Sequence, residues 1–270
     1  PLYSSAASDV YKRQMYKKLI LCELASLAML LASCSSHYQL TGVSRSRILI
    51  DSTYDSRPDG RAWSFIAPYK LKVDSIMSPV VGRAASYLNA ERPESKLSNL
   101  LADILVWCGG SYGEKPDFAV YNIGGMRSAF AKGDITYGDV LDVAPFENKI
   151  CFVTLKGSKV IELFGQIASV GGEAVSHGVN LVISKDGKLL SAKLNGKDID
   201  PEADYRVATI DYVAQGNDKL EAFKSATGMK SPSGADDNVR QVIVKYMKAK
   251  MAQGEDIDSK IEGRIIIADK

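Results

Sequence analysis

Two dipeptides constrain this chain more than any other feature. Asp186-Gly187 separates an apolar strand pattern over 179–184 from another over 188–194, and Asn195-Gly196 turns the chain again before a third at 205–211. Such pairs favour the tight turns whose twist matches antiparallel neighbours. With strand and helix patterns following one another in irregular order, a mixed sheet is expected rather than a regular doubly wound one, so the class is α+β, a mixed β-sheet flanked by helices. Helical spacing predicts helices over 61–77 (Trp63, Ile66, Val73, Met77), 95–107 (Leu97, Leu100, Leu101, Ile104, Leu105), 158–168 (Val160, Ile161, Phe164 and Ile167 inward) and 238–251. Thr136 and Asp139 have capping-box spacing, which predicts a short helix ending before Pro145. Further strands are expected at 47–50, 80–88, 117–122, 149–155 and 263–268.

The first 33 residues read differently from the rest. Met15-Tyr16-Lys17-Lys18 leads an apolar run over 19–32, interrupted by Glu23, and then Ser33-Cys34-Ser35-Ser36, the order of an export signal over 15–33. The run is shorter than the roughly 20 residues a spanning helix needs. Leu31-Ala32-Ser33-Cys34 resembles a bacterial lipobox, which implies Cys34 as the lipid attachment and the membrane reached through that anchor. The place implied is the periplasmic side of the envelope, at the outer membrane because no Asp follows Cys34. A short buried helix with an incidental cysteine is the alternative. Residues 1–14 are read as a non-native extension, 34–60 as tether and first strand, and 61–270 as the folded domain.

Composition matters at two points. The 34 Lys and Arg exceed the 32 Asp and Glu by two, and the leader alone supplies that excess through Lys12, Arg13, Lys17 and Lys18 against Asp9 and Glu23. The remaining body is neutral, with no global field to recruit nucleic acid. Its only histidines are His37 and His177, too few for a self-contained catalytic zinc or dinuclear centre, so no metal and no cofactor is expected on this chain. Cys108 and Cys151 lie in apolar patterns, where single cysteines behave as small buried hydrophobes, although export also permits a disulfide.

Three segments carry possible chemistry. Asn122-Ile123-Gly124-Gly125-Met126-Arg127 follows a strand, and its glycines let backbone approach a ligand while Asn122 and Arg127 offer directed hydrogen bonds. A tight strand exit with a solvated arginine would look the same. Ala144-Pro145-Phe146-Glu147-Asn148 sets an aromatic beside an amide, and Phe146 is either a loop ring or a core ring. The segment from Asp211-Tyr212 through Gly216-Asn217-Asp218 delivers an aromatic and then a carboxylate that is either a ligand group or a turn residue. His177 stands beside Gly178 in a loop before a strand, and a surface or hydrogen-bonded imidazole is its ordinary reading.

Taken together, residues 61–268 resemble the C-terminal domain of bacterial 5'-nucleotidases and their relatives, UDP-sugar hydrolase and 2',3'-cyclic nucleotide phosphodiesterase. The resemblance runs through Glu94-Ser95-x-Leu97-x-Asn99-Leu100-x-Ala102-Asp103, Asn122 to Arg127, Gly133 to Asp139, Pro145-Phe146-x-Asn148, Asp211 to Asp218, and Glu262-Gly263-Arg264-Ile265. It implies that Phe146 and Tyr212 stack a base, that Asp218 accepts from ribose hydroxyls, and that Asn122, Arg127 and Asn148 add polar contacts. Gly124, Gly125 and Gly216 would be the loop glycines. The family's arginine before the Glu94 position is Pro93 here, with Arg92 one residue earlier, and its Gly-Gly-Asp is Gly216-Asn217-Asp218.

The family's N-terminal metallophosphatase signatures, Asp-x-His, Gly-Asn-His-Glu and Gly-His-x-His, do not occur in this sequence. The resemblance therefore implies a substrate-binding subunit of a split 5'-nucleotidase, non-catalytic alone, whose divalent metal belongs to a separately encoded metallophosphatase partner. A stand-alone periplasmic nucleoside or nucleotide binder is the alternative, and a structural lipoprotein that lost its ligand is a third.

Overall fold

The computed structural model describes residues 5–31, 40–56 and 59–268. They form two units, Pro1–Pro58 and Asp59–Lys270. In the first, helix α1 (Ser5–Leu31) runs continuously through Met15, and a 3-10 turn (Ser52–Tyr54) is capped by Asp51, which accepts from the Thr53 amide. No described helix is long and apolar enough to cross a membrane. Cys34, expected to carry lipid, lies outside the described residues. The strand expected at 47–50 does not form. Ile48 and Ile50 are exposed, and a run of three apolar residues becomes a strand only when a neighbour takes up its backbone groups.

The second unit opens with α2 (Gly60–Met77), started by Asp59, whose carboxylate accepts from Arg61 and Ala62 amides. Then follow β1 (Val80–Ala84), α3 (Lys96–Trp107), β2 (Phe118–Tyr121), β3 (Gly133–Thr136), α4 (Tyr137–Val143), β4 (Ile150–Lys156), α5 (Gly157–Ser169) and β5 (Ala174–Val175). The chain continues through β6 (Val179–Ile183), β7 (Leu189–Leu194), β8 (Lys197–Asp198), β9 (Asp204–Ile210), α6 (Asp211–Ala214), β10 (Thr227–Lys230), α7 (Val239–Ala252) and β11 (Ile265–Ile267). Starts follow local chemistry. Ser95 and Ser98 cap α3 reciprocally, and Thr136 and Asp139 do the same for α4. At the β7 to β8 turn Asn195 and Gly196 both have positive φ, 52° and 76°, as an Asn-Gly hairpin requires.

The strands make a mixed five-stranded sheet ordered β10-β4-β9-β2-β5, a four-stranded sheet β11-β6-β7-β8, and the pair β1-β3. Within the larger sheet β2 is parallel to β9 and β4 is antiparallel to it, with Ile150 opposite Ile210. That pairing decides where the site lies. The C-terminal ends of β2 and β9 and the N-terminal end of β4 reach the same edge.

Helix α5 buries Val160, Leu163, Phe164 and Ile167, with the Phe164 ring 5.4 Å from that of Phe118 in β2. Ile161, expected inward, is 38% exposed, and Leu163 takes its place. Helix α2 departs further from expectation. It forms where the periodicity predicts it, yet none of its residues is buried, and Trp63, Ile66 and Val73 are exposed. Cys108 and Cys151 are buried free thiols, not a disulfide.

Candidate functional site

Each of the three sequence segments hangs from one of the converging strand ends. Asn122 follows β2 and leads into a 3-10 turn (Ile123–Gly125). Phe146 and Asn148 lie between α4 and β4, and β9 runs directly into α6, whose second residue is Tyr212, with Asp218 a short loop further on. Asn122, Gly124, Gly125, Phe146, Asn148, Tyr212 and Asp218 line one cavity of about 240 Å³. That lies below the roughly 300–1,000 Å³ of pockets that enclose a whole drug-sized ligand.

Phe146 is 48% exposed and Tyr212 39%, so neither ring belongs to the core. The polar groups of the same lining are linked to one another. Asn122 is buried, and its Nδ2 donates to Asp218 Oδ2 at 2.6 Å. Tyr212 donates its hydroxyl to Asp218 Oδ1 at 3.0 Å, which raises the phenol above its ordinary pKa because the carboxylate favours the protonated hydroxyl. Asn122 Oδ1 is buried without a hydrogen-bond partner. Asn217 donates from Nδ2 to the Tyr212 carbonyl at 2.8 Å and so closes the loop between ring and carboxylate.

Two expected residues sit elsewhere. Arg127 is exposed and does not line the cavity; its guanidinium approaches the Gly124 carbonyl at 3.3 Å, and its backbone amide donates to Val143. Gly216 does not line the cavity either; it sits in the turn after α6, where its φ of 83° suits glycine. His177 is likewise away from the cavity lining. Its Nδ1 pairs with Glu262 at 2.9 Å, and that contact holds the Glu262 carboxyl below its usual range.

Two supporting residues escape sequence reasoning. Glu173 is buried beneath the glycine turn and accepts the Ile123 backbone amide. Arg92 pairs with the same carboxylate and donates from Nε to the Gly172 carbonyl at 2.7 Å. Burial pushes the Glu173 carboxyl up, while the Ile123 amide and Arg92 pull it back. Arg240, buried at the start of α7, donates to the carbonyls of Ala144 at 3.0 Å and Pro145 at 2.7 Å, and so fixes the backbone that carries Phe146. Neither residue has a motif of its own, since each acts on backbone groups distant in sequence. Among the described residues no group of three or more His, Cys, Asp or Glu side chains is placed to hold a metal ion.

Mixed sheets flanked by helices define an α+β domain, here with an open cavity where three strands of the larger sheet end. The chain belongs to the family described as the 5'-nucleotidase C-terminal domain, whose model matches residues 72–225. Protein UshA of Escherichia coli is 26% identical over 186 residues, 67% of this chain and 34% of that protein. A 5'-nucleotidase of Vibrio cholerae is 26% identical over 202 residues, 73% of this chain and 36% of that protein. The crystal structure of a 5'-nucleotidase precursor from Thermus thermophilus superposes with a TM-score of 0.65 at 25% identity, over 78% of this chain and 43% of that one. The chain thus spans about a third of the length of the two relatives.

Proposed function

We propose that this chain is the nucleoside- and nucleotide-binding subunit of a split 5'-nucleotidase, which hydrolyses phosphate esters only with a separately encoded metallophosphatase. The observation that carries the reading is the cavity lined by two part-exposed rings, Phe146 and Tyr212, with Asp218 also on its wall. Exposed aromatic faces stack bases with about 1–3 kcal/mol each and tolerate different bases. An ionised carboxylate accepts hydrogen bonds from sugar hydroxyls. In this reading the rings hold the base, Asp218 and Asn122 hold the sugar, and a phosphate projects out of the small cavity toward the partner. The described residues do not fit the metal centre that such hydrolysis employs, so no chemical step is assigned to them. The export-type pattern over 15–33 supports a place on the periplasmic side of the envelope, anchored through Cys34.

Calorimetric titration of the full chain with adenosine and uridine, beside thermal melts, tests the binding role. Phe146→Ala and Tyr212→Ala are each expected to weaken binding at least tenfold, about 1.4 kcal/mol. Because both rings are substantially exposed, the melting temperature should move by only a few degrees. Undiminished binding by both variants removes the stacking assignment. Phosphate release from a nucleoside monophosphate should appear only when a metallophosphatase is mixed with this chain, and turnover by the chain alone contradicts the split.

A further inference from the structure

The Asp218 carboxylate is held at both of its oxygens. Its Oδ2 accepts from Asn122, at the end of β2, and its Oδ1 accepts from Tyr212, at the end of β9. The backbone beneath it is left-handed, with φ of 55° at Asp218 and 65° at Lys219, and Asp is among the few side chains that tolerate this region. A carboxylate has about four acceptor positions, so two internal donors leave one on each oxygen for an incoming pair of hydroxyls. An Asp carboxylate otherwise turns freely, because the rotation about its last bond is broad and two-fold. Asn122 alone restrains one oxygen. The second restraint comes from the hydroxyl of the very residue whose ring forms the cavity wall.

We propose that Tyr212 is a specificity-determining residue whose hydroxyl orients the Asp218 carboxylate toward a vicinal diol, so that this site favours a ribose over a deoxy sugar. The proposal rests on the nucleoside-binding reading above and adds a role for the phenolic oxygen separate from that of the ring. Tyr212→Phe separates the two, because it keeps the ring and deletes only the donor. A phenol titrates well above the neutral range even before the upward shift that Asp218 causes, so the hydroxyl keeps its proton and the donor is present.

The test is a set of titrations of the full chain with adenosine and 2'-deoxyadenosine, for the wild type, Tyr212→Phe, Asp218→Asn and the double variant. One hydrogen bond to an ionised group sets the scale of the effect. The wild type should prefer the ribonucleoside by about tenfold. Tyr212→Phe should reduce that preference by about threefold or more, while affinity for the deoxynucleoside changes by less than about twofold. Asp218→Asn should remove most of the preference, and Tyr212→Phe should add nothing to it in the double variant. A thermal melt confirms that each variant is folded.

An unchanged preference in folded Tyr212→Phe overturns the proposal and leaves the binding reading intact, as does equal weakening of both ligands. A further loss of preference in the double variant also overturns it, since the hydroxyl would then act without Asp218. A folded wild type that binds neither nucleoside overturns both the proposal and the reading beneath it.

Discussion

The two glycines of the turn after β2 are not equivalent. A Cβ at Gly125 would lie 2.8 Å from Asn122 Oδ1 and 3.2 Å from the Tyr121 ring, whereas one at Gly124 would meet Asp218 Oδ2 at 3.7 Å, an ordinary contact. Gly125→Ala must therefore displace Asn122 or Tyr121, and overpacking of this kind costs about 1–3 kcal/mol. Gly124→Ala should melt close to the wild type while narrowing the cavity beside Asp218. Parallel melts and adenosine titrations check the pair: equal melting temperatures in the two variants would contradict the assigned roles. At this scale the sequence was partly readable. The glycine pair, Phe146, Tyr212 and Asp218 stood out because glycines that admit a ligand, aromatic rings and a carboxylate follow strand patterns in the order of a known family. Arg127 stood out for the same reason, yet its guanidinium turns to the Gly124 carbonyl, a choice that no spacing encodes. Glu173 and Arg240 left no signal at all, because the backbone groups they hold lie 50 positions away for Ile123 and 95 for Pro145.

Helices α2 and α5 show how far apolar periodicity reaches. Both were legible as helices, since spacing alone reports an apolar stripe. Spacing does not report what covers the stripe. In α5 Phe164 is wholly buried against the sheet, whereas in α2 Phe65, Tyr69 and Ile76 are all more than half exposed. Phe164→Ala is accordingly expected to cost about 3–5 kcal/mol. Ile76→Ser should change stability by no more than about 0.5 kcal/mol, as for an exposed position away from any cap or network. Urea denaturation distinguishes the two, and a large loss for Ile76→Ser would show that the α2 face is covered in solution. Strands were readable where apolar residues alternate or cluster, as in β4 and β9. β10 was not, because all four of its residues are exposed at the sheet edge and one is Gly228, so its pairing with β4 leaves no hydrophobic pattern. The reverse error, at 47–50, has the same origin: an apolar run is a strand only in company.

For the whole molecule, the class of fold was accessible from the irregular order of strand and helix patterns, but the meeting of the three segments was not. They occupy widely separated stretches of chain, and only the strand order β4-β9-β2, with one parallel and one antiparallel pairing, brings their ends to one edge. Motif order pointed to a family; register built the cavity. The buried thiols offer a measurement on the same scale. Burial pushes the Cys108 thiol up to about 12 and that of Cys151 to about 11, so neither is a nucleophilic thiolate near neutral pH while the chain is folded. With exposed Cys22 and lipid-candidate Cys34 replaced by Ser, an aromatic disulfide reagent should react with both remaining sulfurs only through opened molecules. The labelling rate then reads the opening free energy wherever closing outpaces labelling. One thiol sits at the end of α3 and the other in β4, so matching rates would mean that helix and sheet come apart as one cooperative body. Added nucleoside should slow both rates by the same factor if ligand and fold are thermodynamically linked. The chain thus carries two stopwatches, sealed in its interior, that start only when it unfolds.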